Sequence, residues 1–386
     1  MKEGWEYKKL GEIGVIVTGS TPSTKDSENY NSRDYCFVKP SDIPKTGTNV
    51  LTDTEFYISK KAYNSSRKLP KGSVLTTCIG IIGKVGILGV DAICNQQINA
   101  IIPNPQIIIS PFLAYSILYN RKKLEKKANA PIVPIINKKD FANTIIEIPS
   151  ISEQQHIVEE LDLLSSIIEK KKAQLKELDN LAQSIFYEMF GDPITNEKGW
   201  EVKKLGEMGI LARGISKHRP RNAPELLGGT MPLIQTGDIA NSDMYINSYH
   251  NTYSDLGVAQ SKVWKAGTLC ITIAANIGKC AILGFEACFP DSVVGFTVDS
   301  IFSNNEYIFF IFCRLQSLLE RNAPSVAQKN INLKILNDLQ IPHPPLPLQE
   351  LFASKIQSIE HQKALIKQSI TEVETLFNSR MDYYFN

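Results

Sequence analysis

Two glycine–lysine pairs are the first places where this sequence could bind a phosphate. Ile-Gly-Lys occurs at residues 82–84 and again at 277–279. A P-loop needs an additional glycine five residues before the Gly-Lys pair, and a serine or threonine directly after the lysine. Those positions are filled instead by Cys78, Val85, Ile273 and Cys280. We therefore interpret both pairs as turns between strands, each exposing its lysine.

Other catalytic or metal-binding patterns are also missing from the sequence. The seven cysteines form no C-x-x-C, and the five histidines form no H-x-x-x-H. No G-x-S-x-G occurs, and the His-Pro-Pro-Leu at 343–346 lacks the end residues of the amino-methyltransferase loop. Reduced cysteines are common small core residues. We therefore expect a reader or scaffold with no metal and no catalytic site.

A basic loop and its hydroxyl-rich counterpart are better suited to a polyanion. Residues 212–221 contain no acidic residue, whereas residues 18–25 are rich in serine and threonine. Lysine and arginine bind phosphates or guanine edges, and hydroxyl groups bind phosphates. The candidate DNA contacts from these two loops are Ser20, Thr21, Ser23, Lys25, Arg213, Ser216, Lys217, Arg219 and Arg221.

An amide-rich turn is a second candidate for base recognition. Asn95, Gln96 and Gln97 follow Cys94, whereas the second half has Pro-Asp-Ser at 290–292. Asn and Gln can bond adenine bidentately, although an ordinary turn explains the amides equally well. The basic residues of 121–127 are equally compatible with a solvated helix end. The remaining candidate DNA contacts are Lys39, Lys84, Gln235 and Lys279.

These segments recur because the chain is a tandem duplication. Residues 4–14 return at 199–209 with two differences, and the Ile-Gly-Lys pair repeats at the same offset of 195. The two copies cover about 1–190 and 196–386. Both keep their framework residues and diverge in the polar loops. This pattern favours two similar readers of different sequences.

Composition predicts two folded domains and no membrane segment. The 386 residues are 43% hydrophobic with a net charge of +2, so cores can form and any basic surface must be local. No apolar stretch approaches the roughly 20 residues that span a bilayer, and the N-terminus is no signal peptide, so we expect a cytoplasmic protein. Residues 73–77, 85–88 and 98–102 read as strands, and a helix capped by Ser110 should follow, through residue 124.

A long helix closes each copy, and its apolar seam is countable. Heptad steps from Ile157 to Met189 meet nine apolar residues in ten, and steps from Phe352 to Tyr384 meet eight in ten. This spacing predicts a coiled coil, and we favour an antiparallel, pseudo-twofold pair over helices that each pack on their own domain. The expected pairing residues are Leu161, Leu164, Ile168, Leu175, Leu178, Ile356, Ile359, Ile366, Ile370 and Val373.

The fold class expected is therefore α+β, with two strand-rich domains and two long helices. We place the domains at 1–150 and 191–345 and the helices at 151–190 and 346–386. Ser152 with Gln155 predicts a capping box, and Gly191 with Pro193 should end the first helix. Lys171 and Lys363 interrupt the seams, where such residues can fix register.

In this order the motifs resemble the DNA-specificity (S) subunits of type I restriction–modification enzymes. The resemblance rests on Gly-Trp-Glu-x-Lys-Lys-Leu-Gly-Glu opening each half, the Gly-Ser-Thr-Pro-Ser loop at 19–23 and the Phe-Val-Lys-Pro-Ser-Asp-Ile at 37–43. Ile-Gly-Lys-Val-Gly at 82–86, the Asn-Gln at 95–96 and the Phe-Gly-Asp-Pro junction at 190–193 extend it over nearly the full chain. The second half departs from the pattern in its basic loop and near Asp291.

The resemblance implies two target-recognition domains that each read one part of a bipartite DNA site. The helices would set the unread spacer and dock two methyltransferase subunits, which bring S-adenosylmethionine and methylate adenine N6. Restriction–translocase subunits would bring ATP and magnesium, while this chain needs no cofactor. Three alternatives stay open: a specificity subunit of another restriction architecture, a coiled-coil scaffold without DNA function, and a stand-alone nuclease or methyltransferase, which the missing motifs disfavour.

Overall fold

The chain folds into strand-rich sheets and helices, among them two helices of 40 residues each. The computed structural model describes residues 4–44, 47–128, 133–218, 220–274, 277–322 and 331–386, with the backbone alone for 317–322. Within these ranges, every helix is too short or too polar to cross a bilayer.

The first half begins with short strands and ends in the first long helix. In chain order the elements are β1 (Glu6–Lys9), β2 (Gly14–Thr18), β3 (Tyr35–Val38), β4 (Thr48–Leu51), β5 (Tyr57–Ile58), α1 (Lys60–Ser65), β6 (Val74–Thr77), β7 (Val85–Leu88), β8 (Ala92–Cys94), β9 (Ile98–Pro103), α2 (Ser110–Tyr119), α3 (Arg121–Lys127), α4 (Lys138–Ala142), β10 (Ile145–Ile148) and α5 (Ile151–Phe190).

The second half repeats this succession and ends in the second long helix. Its elements are β11 (Val202–Lys204), β12 (Gly209–Arg213), β13 (Leu227–Leu233), α6 (Thr236–Asn241), β14 (Tyr245–Ile246), β15 (Asn251–Tyr253), α7 (Asp255–Ala259), β16 (Val263–Trp264), β17 (Leu269–Thr272), β18 (Cys280–Leu283), β19 (Ala287–Cys288), β20 (Val293–Val298), α8 (Asn305–Asn322), α9 (Leu333–Asn337), β21 (Gln340–Pro342) and α10 (Leu346–Phe385).

The chain divides into two compact units. Unit 1 comprises Met1–Lys172 with Lys367–Asn386, and unit 2 comprises Ala173–Ile366. Each unit therefore owns one strand-rich part, a segment of α5 and a segment of α10. The sequence division into separate domains and helices draws these boundaries differently.

The two units share one sheet topology. The five-stranded sheet of unit 1 has the order β2-β9-β6-β7-β4, and that of unit 2 has the order β12-β20-β17-β18-β14. In each, the last strand pairs in parallel and the other neighbours are antiparallel. Their inward side chains, such as Val74, Ile101, Ile271 and Val294, are fully buried in the two main cores. The duplication expected from sequence is thus a duplication of fold.

A buried glutamine fastens each long helix to its own strand-rich part. The Gln154 amide donates to the carbonyl oxygens of Ile107 and Pro149, each at 2.9 Å, and accepts from the Ile109 N–H. Gln349, 195 residues later, donates to the Pro344 carbonyl oxygen at 2.8 Å and accepts from the Ser303 hydroxyl at 2.7 Å. Both glutamines are completely buried, so their hydrogen bonds fix the direction in which each helix leaves the sheet.

Two predicted helix caps are wrong by one or two residues. The first long helix is capped by Ser150, whose hydroxyl accepts from the Glu153 N–H at 3.3 Å, and not by Ser152 with Gln155. Ser110 is already helical, and its hydroxyl donates instead to the Gly72 carbonyl oxygen at 2.6 Å. The helix expected through residue 124 also breaks at Asn120, whose side-chain amide donates to the Ser116 carbonyl oxygen.

Within each unit the segments of the two long helices run antiparallel. In unit 1, Glu160 meets Arg380 while Lys172, farther along α5, meets Glu374, nearer the start of α10. In unit 2, the Asp179 carboxylate lies 2.7 Å from Lys363 Nζ, and a later residue of α5, Phe186, packs on an earlier residue of α10, Phe352. The antiparallel pairing that we favour for the coiled coil is confirmed within each unit.

Six of the ten expected pairing residues are buried and four are half-buried. Leu161, Leu164, Ile168, Ile356, Ile359 and Ile370 are buried, and Leu175, Leu178, Ile366 and Val373 are half-buried. The alternative, in which a long helix packs on its own strand-rich domain, also holds for the first helix, because Ile157 and Leu161 join the core of unit 1. Helix pairing and domain packing therefore coexist in one core.

Two cations in the seam are paired with acids. Burial opposes the charge of Lys363, but its hydrogen bonds to Asp179 and Glu360 outweigh this and raise its pKa. A hydrogen bond from Arg380 to Glu160 holds the pKa of that carboxyl below its usual value. Because each cation needs its acid opposite, these pairs specify helix register within their units.

Candidate nucleic-acid interface

In unit 1 the hydroxyl-rich loop lies directly on the amide-rich turn. The Gly19 N–H donates to the Ile98 carbonyl oxygen at 3.0 Å, and the Ser20 N–H donates to that of Cys94 at 2.9 Å. A Cβ at position 19 would stand 2.1 Å from the Asn95 carbonyl oxygen. Only glycine allows this approach. We call residues 19–25 with 95–97 the loop–turn site of unit 1.

The exposed face of this site is polar and shared between its two segments. Thr21 Oγ1 donates to Gln96 Oε1 at 2.6 Å, and both side chains are exposed. Beneath them, the buried Asn95 side chain is held by Gln97, because its amide donates to Gln97 Oε1 at 2.9 Å. Gln96 is therefore presented outward while Asn95 supports the turn.

Neighbouring side chains hold the rest of the loop in place. The Tyr30 hydroxyl donates to the Pro22 carbonyl oxygen at 2.8 Å, and the Asn29 amide donates to that of Ser23 at 3.1 Å. The exposed Ser23 and Lys25 are thereby carried on an anchored backbone. An ordered loop of this kind can hold hydrogen-bonding groups in fixed directions.

Unit 2 builds the same junction with different side chains. The Gly214 N–H donates to the Val293 carbonyl oxygen at 2.9 Å, and a Cβ at position 214 would stand 2.3 Å from the Phe289 carbonyl oxygen. Across the junction, Arg221 Nη2 lies 2.5 Å from Asp291 Oδ1. We call residues 214–218 and 220–221 with 290–292 the loop–turn site of unit 2.

One residue supports the basic loop from outside the predicted set. Gln260 Oε1 accepts from the backbone N–H groups of Lys217 and His218, at 2.6 and 3.0 Å. Lys217 is exposed, whereas Ser216 is buried. Arg219 lies outside the described residues. Gln260 thus fixes the backbone that presents Lys217.

A second duplicated turn carries Lys39 in unit 1 and Gln235 in unit 2. Asp42 accepts from the Lys39 N–H at 2.7 Å, and Asp238 accepts from the Gln235 N–H at 2.8 Å. Lys39 Nζ lies 3.0 Å from the centre of the Phe56 ring, whereas Gln235 is exposed. An identical backbone device therefore offers a cation in one unit and an amide in the other.

The two Gly-Lys lysines differ, and the expectation for Lys84 is wrong. Lys279 is exposed as predicted, but Lys84 is only 7% exposed and its ammonium group donates to the Pro40 carbonyl oxygen. The turn that follows β3 brings that carbonyl over the lysine. Lys84 therefore ties two segments of unit 1 together and is not at the surface.

Exposure divides the candidate DNA contacts into three groups. Exposed side chains are those of Thr21, Ser23, Lys25, Gln96, Arg213, Lys217, Arg221, Gln235 and Lys279. Half-buried side chains are those of Ser20, Lys39 and Gln97, and buried side chains are those of Lys84, Asn95 and Ser216. The buried group can position others but presents little surface for a ligand.

Sequence reasoning missed two cations and one acid–histidine pair. Arg67 Nη1 donates to the Thr18 carbonyl oxygen at 2.7 Å, and Lys262 lies over the Trp264 ring at 3.7 Å. Arg67 and Lys262 lie 195 residues apart, so the repeat offset could have identified them as a corresponding pair of cations. His250 Nδ1 lies 2.5 Å from Asp238 Oδ1. No sequence pattern links these two positions, so the contact could not be predicted.

Two buried thiols, Cys78 and Cys94, lie beside the loop–turn site of unit 1. Burial raises the pKa of the Cys78 thiol to about 11 and that of Cys94 to about 12, so neither is a reactive thiolate at neutral pH. Across the ranges that the structure describes, no group of His, Cys, Asp and Glu side chains could hold a metal ion. Hydroxyl, amide and cationic side chains are the groups these sites present.

The family comparison covers both copies of the repeat. A family model for the type I restriction modification DNA specificity domain matches residues 2–179 and 197–375. The chain is similar to the MjaIX type I restriction enzyme specificity subunit of Methanocaldococcus jannaschii, at 26% identity over 92% of this chain and 86% of that relative. It is also similar to the EcoR124I/EcoR124II type I restriction enzyme specificity subunit of Escherichia coli, at 31% identity over 43% of this chain and 42% of that relative.

A solved structure shares the fold over nearly the whole chain. The S subunit of the type I restriction–modification system from M. genitalium aligns with a TM-score of 0.62 at 12% identity, covering 99% of this chain and 96% of that one. At this identity the likeness concerns the fold. The two repeated units and two long helices are therefore an arrangement that another chain also adopts.

Proposed function

The chain belongs to the type I restriction modification DNA specificity family, and from this premise we propose that its loop–turn sites read the two parts of a bipartite DNA sequence. The site of unit 1 reads one part and the site of unit 2 reads the other. Because the two sites present different side chains, the two parts differ in sequence. The target is therefore asymmetric.

The observation that carries this proposal is a shared junction with divergent tips. Gly19 and Gly214 allow the same close approach of loop to turn, and the sheets beneath have the same strand order. On that common support, unit 1 presents the Thr21–Gln96 pair and unit 2 presents Lys217 and Arg221. A scaffold that keeps its backbone and changes its exposed polar groups suits the reading of different base sequences.

Base and phosphate contacts can be separated by side-chain chemistry. In unit 1, Gln96 has an amide that can bond adenine bidentately, because its Oε1 keeps a second lone pair beside the Thr21 hydroxyl that orients it. Ser23 and Lys25 are suited to phosphates of the same half-site. In unit 2, Gln235 is the exposed amide, and Lys217 and Arg221 are suited to guanine edges or phosphates.

The long helices are proposed to set the spacer between the two half-sites. Each has 40 residues, about 60 Å of helix at 1.5 Å per residue. Lys363 with Asp179, and Arg380 with Glu160, pair cation to acid across the two helices within their units. Pairing of this kind resists sliding of one helix along the other, which a fixed spacer requires.

Two methyltransferase subunits are the proposed protein partners. In unit 2 a groove of about 670 Å³ between the helices is lined by four apolar and three polar side chains, among them Leu181 and Leu365, exposed by 47% and 54%. Exposed apolar side chains in one groove are typical of protein contacts. The partners would supply S-adenosylmethionine and methylate adenine N6, and restriction–translocase subunits would supply ATP and magnesium chemistry. This chain directs their action to a sequence in the cytoplasm.

Mapping of methylated adenines in the host genome tests the proposal. We expect a bipartite methylated motif that is present with this gene and absent after its deletion. A gel-shift of the chain with its co-purified partners should show binding to DNA that contains the motif. An unchanged methylation map together with no DNA binding would instead support a scaffold without DNA function.

A further inference from the structure

A basic groove lies at the edge of the large sheet of unit 1, outside the predicted set of contacts. Its volume is about 490 Å³, and it is lined by Ile16, Val17, Thr18, Arg67, Lys68 and Lys138. The first three belong to β2, whereas the cations come from the segment after α1 and from the first residue of α4. Three separate stretches of chain therefore build it.

The charge of the groove is of one sign. Arg67, Lys68 and Lys138 are all exposed, and among these described lining residues none is acidic. Three cations around one cavity repel each other unless an anion lies between them. A groove of this composition is thus suited to a polyanion, which lowers the repulsion when it binds.

The guanidinium of Arg67 is held in place by the strand itself. Arg67 Nη1 donates to the Thr18 carbonyl oxygen at 2.7 Å, which uses one of its five N–H donors. Lys68 Nζ donates to Asn64 Oδ1 at 3.0 Å, so its ammonium group is also positioned. Such preorganised cations lose less side-chain entropy when an anion binds.

The groove is continuous in sequence with the loop–turn site of unit 1. Thr18 ends β2 and directly precedes Gly19, and its hydroxyl donates to Asn99 Oδ1 at 2.7 Å. Asn99 lies on β9, two residues after the amide-rich turn. An anion in the groove therefore lies next to whatever the loop–turn site binds.

Unit 2 keeps positive charge at the equivalent edge with different residues. Arg213 stands at the position of Thr18, pairing with β20 as Thr18 pairs with β9. Lys262 stands at the position of Arg67 and is exposed. Lys68 and Lys138 correspond to Val263 and Leu333, so unit 2 keeps one of the three groove cations and gains Arg213 on the strand.

We propose that this groove binds phosphates of the DNA backbone beside the bases read by the loop–turn site of unit 1. The guanidinium of Arg67 suits bidentate phosphate contact, and Lys68 and Lys138 neutralise charge from the other sides. The inference rests on the proposed function, since it takes DNA as the ligand. Phosphate contacts in the groove add affinity and fix the position of the protein along the DNA, without adding sequence preference.

The test is the salt dependence of DNA binding by the full chain with its methyltransferase partners. The variant R67A/K68A/K138A should bind DNA more weakly. The magnitude of its slope of log affinity against log salt should decrease by about 1 to 3, since each phosphate contact contributes about 0.9. Its preferred sequence should not change. As a matched control, K9A/K60A/K71A removes three exposed lysines of unit 1 that do not line the groove, and it should keep the wild-type slope.

A second variant separates charge from structure. Because Arg67 also holds Thr18, its loss could disturb β2, so K68Q/K138Q keeps that bond and should still lower the slope by about 1 to 2. If the wild-type complex binds no DNA, the proposed function fails. If the wild-type complex binds DNA and both groove variants keep its slope, the groove is not a phosphate site and the inference is overturned.

Discussion

Thr21 and Gln96 lie 75 residues apart in the chain, yet the hydroxyl of one donates to the amide oxygen of the other at 2.6 Å. The bond joins the hydroxyl-rich loop to the amide-rich turn, two features that the sequence offered as separate candidates. It also fixes which atoms of Gln96 face outward, because an amide whose oxygen accepts from Thr21 directs its N–H₂ group elsewhere. Orientation of this kind is what base reading requires.

Substitution of the junction glycines should disable the sites. In Gly19→Ala the new Cβ meets backbone 2.1 Å away, and in Gly214→Ala it meets backbone 2.3 Å away, so the loop must move. We expect the free energy of unfolding to decrease by about 2–3 kcal/mol or more, Tm to fall by several degrees, and DNA binding to be lost. Calorimetry and a gel-shift measure both effects.

Gly237→Ala is the matched control for those variants. Gly237 is helical in α6, and nothing lies within 4 Å of the position its Cβ would take. Alanine favours helix over glycine by up to about 1 kcal/mol, so the stability should hold or rise slightly. Wild-type behaviour of Gly19→Ala and Gly214→Ala would show that the close approach is dispensable.

Removal of the acid opposite Arg221 should strengthen DNA binding. Arg221 Nη2 lies 2.5 Å from Asp291 Oδ1, so the arginine is partly neutralised within the protein. In Asp291→Asn that charge becomes available to a phosphate, and we expect affinity to rise several-fold with a steeper salt slope, by up to about 0.9. Glu286→Gln removes an exposed acid of unit 2 outside the loop–turn site and should change little. Equal behaviour of the two variants would contradict a DNA role for Arg221.

The contact of Glu160 with Arg380 should make unit 1 sensitive to acid. The Arg380 hydrogen bond lowers the pKa of Glu160 from its usual 4.5, so the pair stabilises the fold above that pH and is lost as pH falls through the folded value. Glu160→Gln should cost on the order of 1 kcal/mol at pH 7 and nothing in strong acid. Melting temperatures of wild type and variant between pH 7 and 3 measure this.

Glu159→Gln is the control for that experiment, since Glu159 is the exposed neighbour on the same helix. Its melting curve should follow the wild type at every pH. A difference between Glu160→Gln and wild type that stayed constant down to pH 3 would show that the ion pair is not the source of the stability.

Lengthening the helices should lengthen the spacer. One heptad inserted at paired positions of α5 and α10 adds about 10 Å of helix, equivalent to about three base pairs at 3.4 Å each. The methylated motif should then keep both half-sites and gain about three unread base pairs. The same seven residues inserted after Thr195, outside either helix, should leave the spacer as it was. An unchanged spacer in the helix variant would contradict the proposal that the long helices set the spacer.

The sequence predicted the repeated framework well because identical residues recur at one offset. The strands at 73–77, 85–88 and 98–102 and both long helices followed from periodicity, and the sheet orders agree between units. The exposure of individual side chains was harder to predict, since it depends on residues far away in the sequence. Lys84 and Lys279 look alike in sequence, but the Pro40 carbonyl oxygen, 44 residues earlier, buries only the first.

Helix starts and supporting residues were the weakest part of the prediction. Ser150 and Ser152 are both plausible caps, and only the backbone geometry selects Ser150. Gln260 holds the basic loop from 42 residues away, with no local pattern to mark it. Arg67 lay within reach, because the cation at the repeat position, Lys262, retains its charge.

Methylated-adenine mapping in cells that carry single-unit variants tests the central claim most directly. Gln96→Ala alters an exposed amide of unit 1, and Gln235→Ala alters one of unit 2. Two independent readers predict that each variant relaxes one part of the motif and leaves the spacer and the other part intact. Loss of preference in both parts from either single substitution would contradict two separate reading sites.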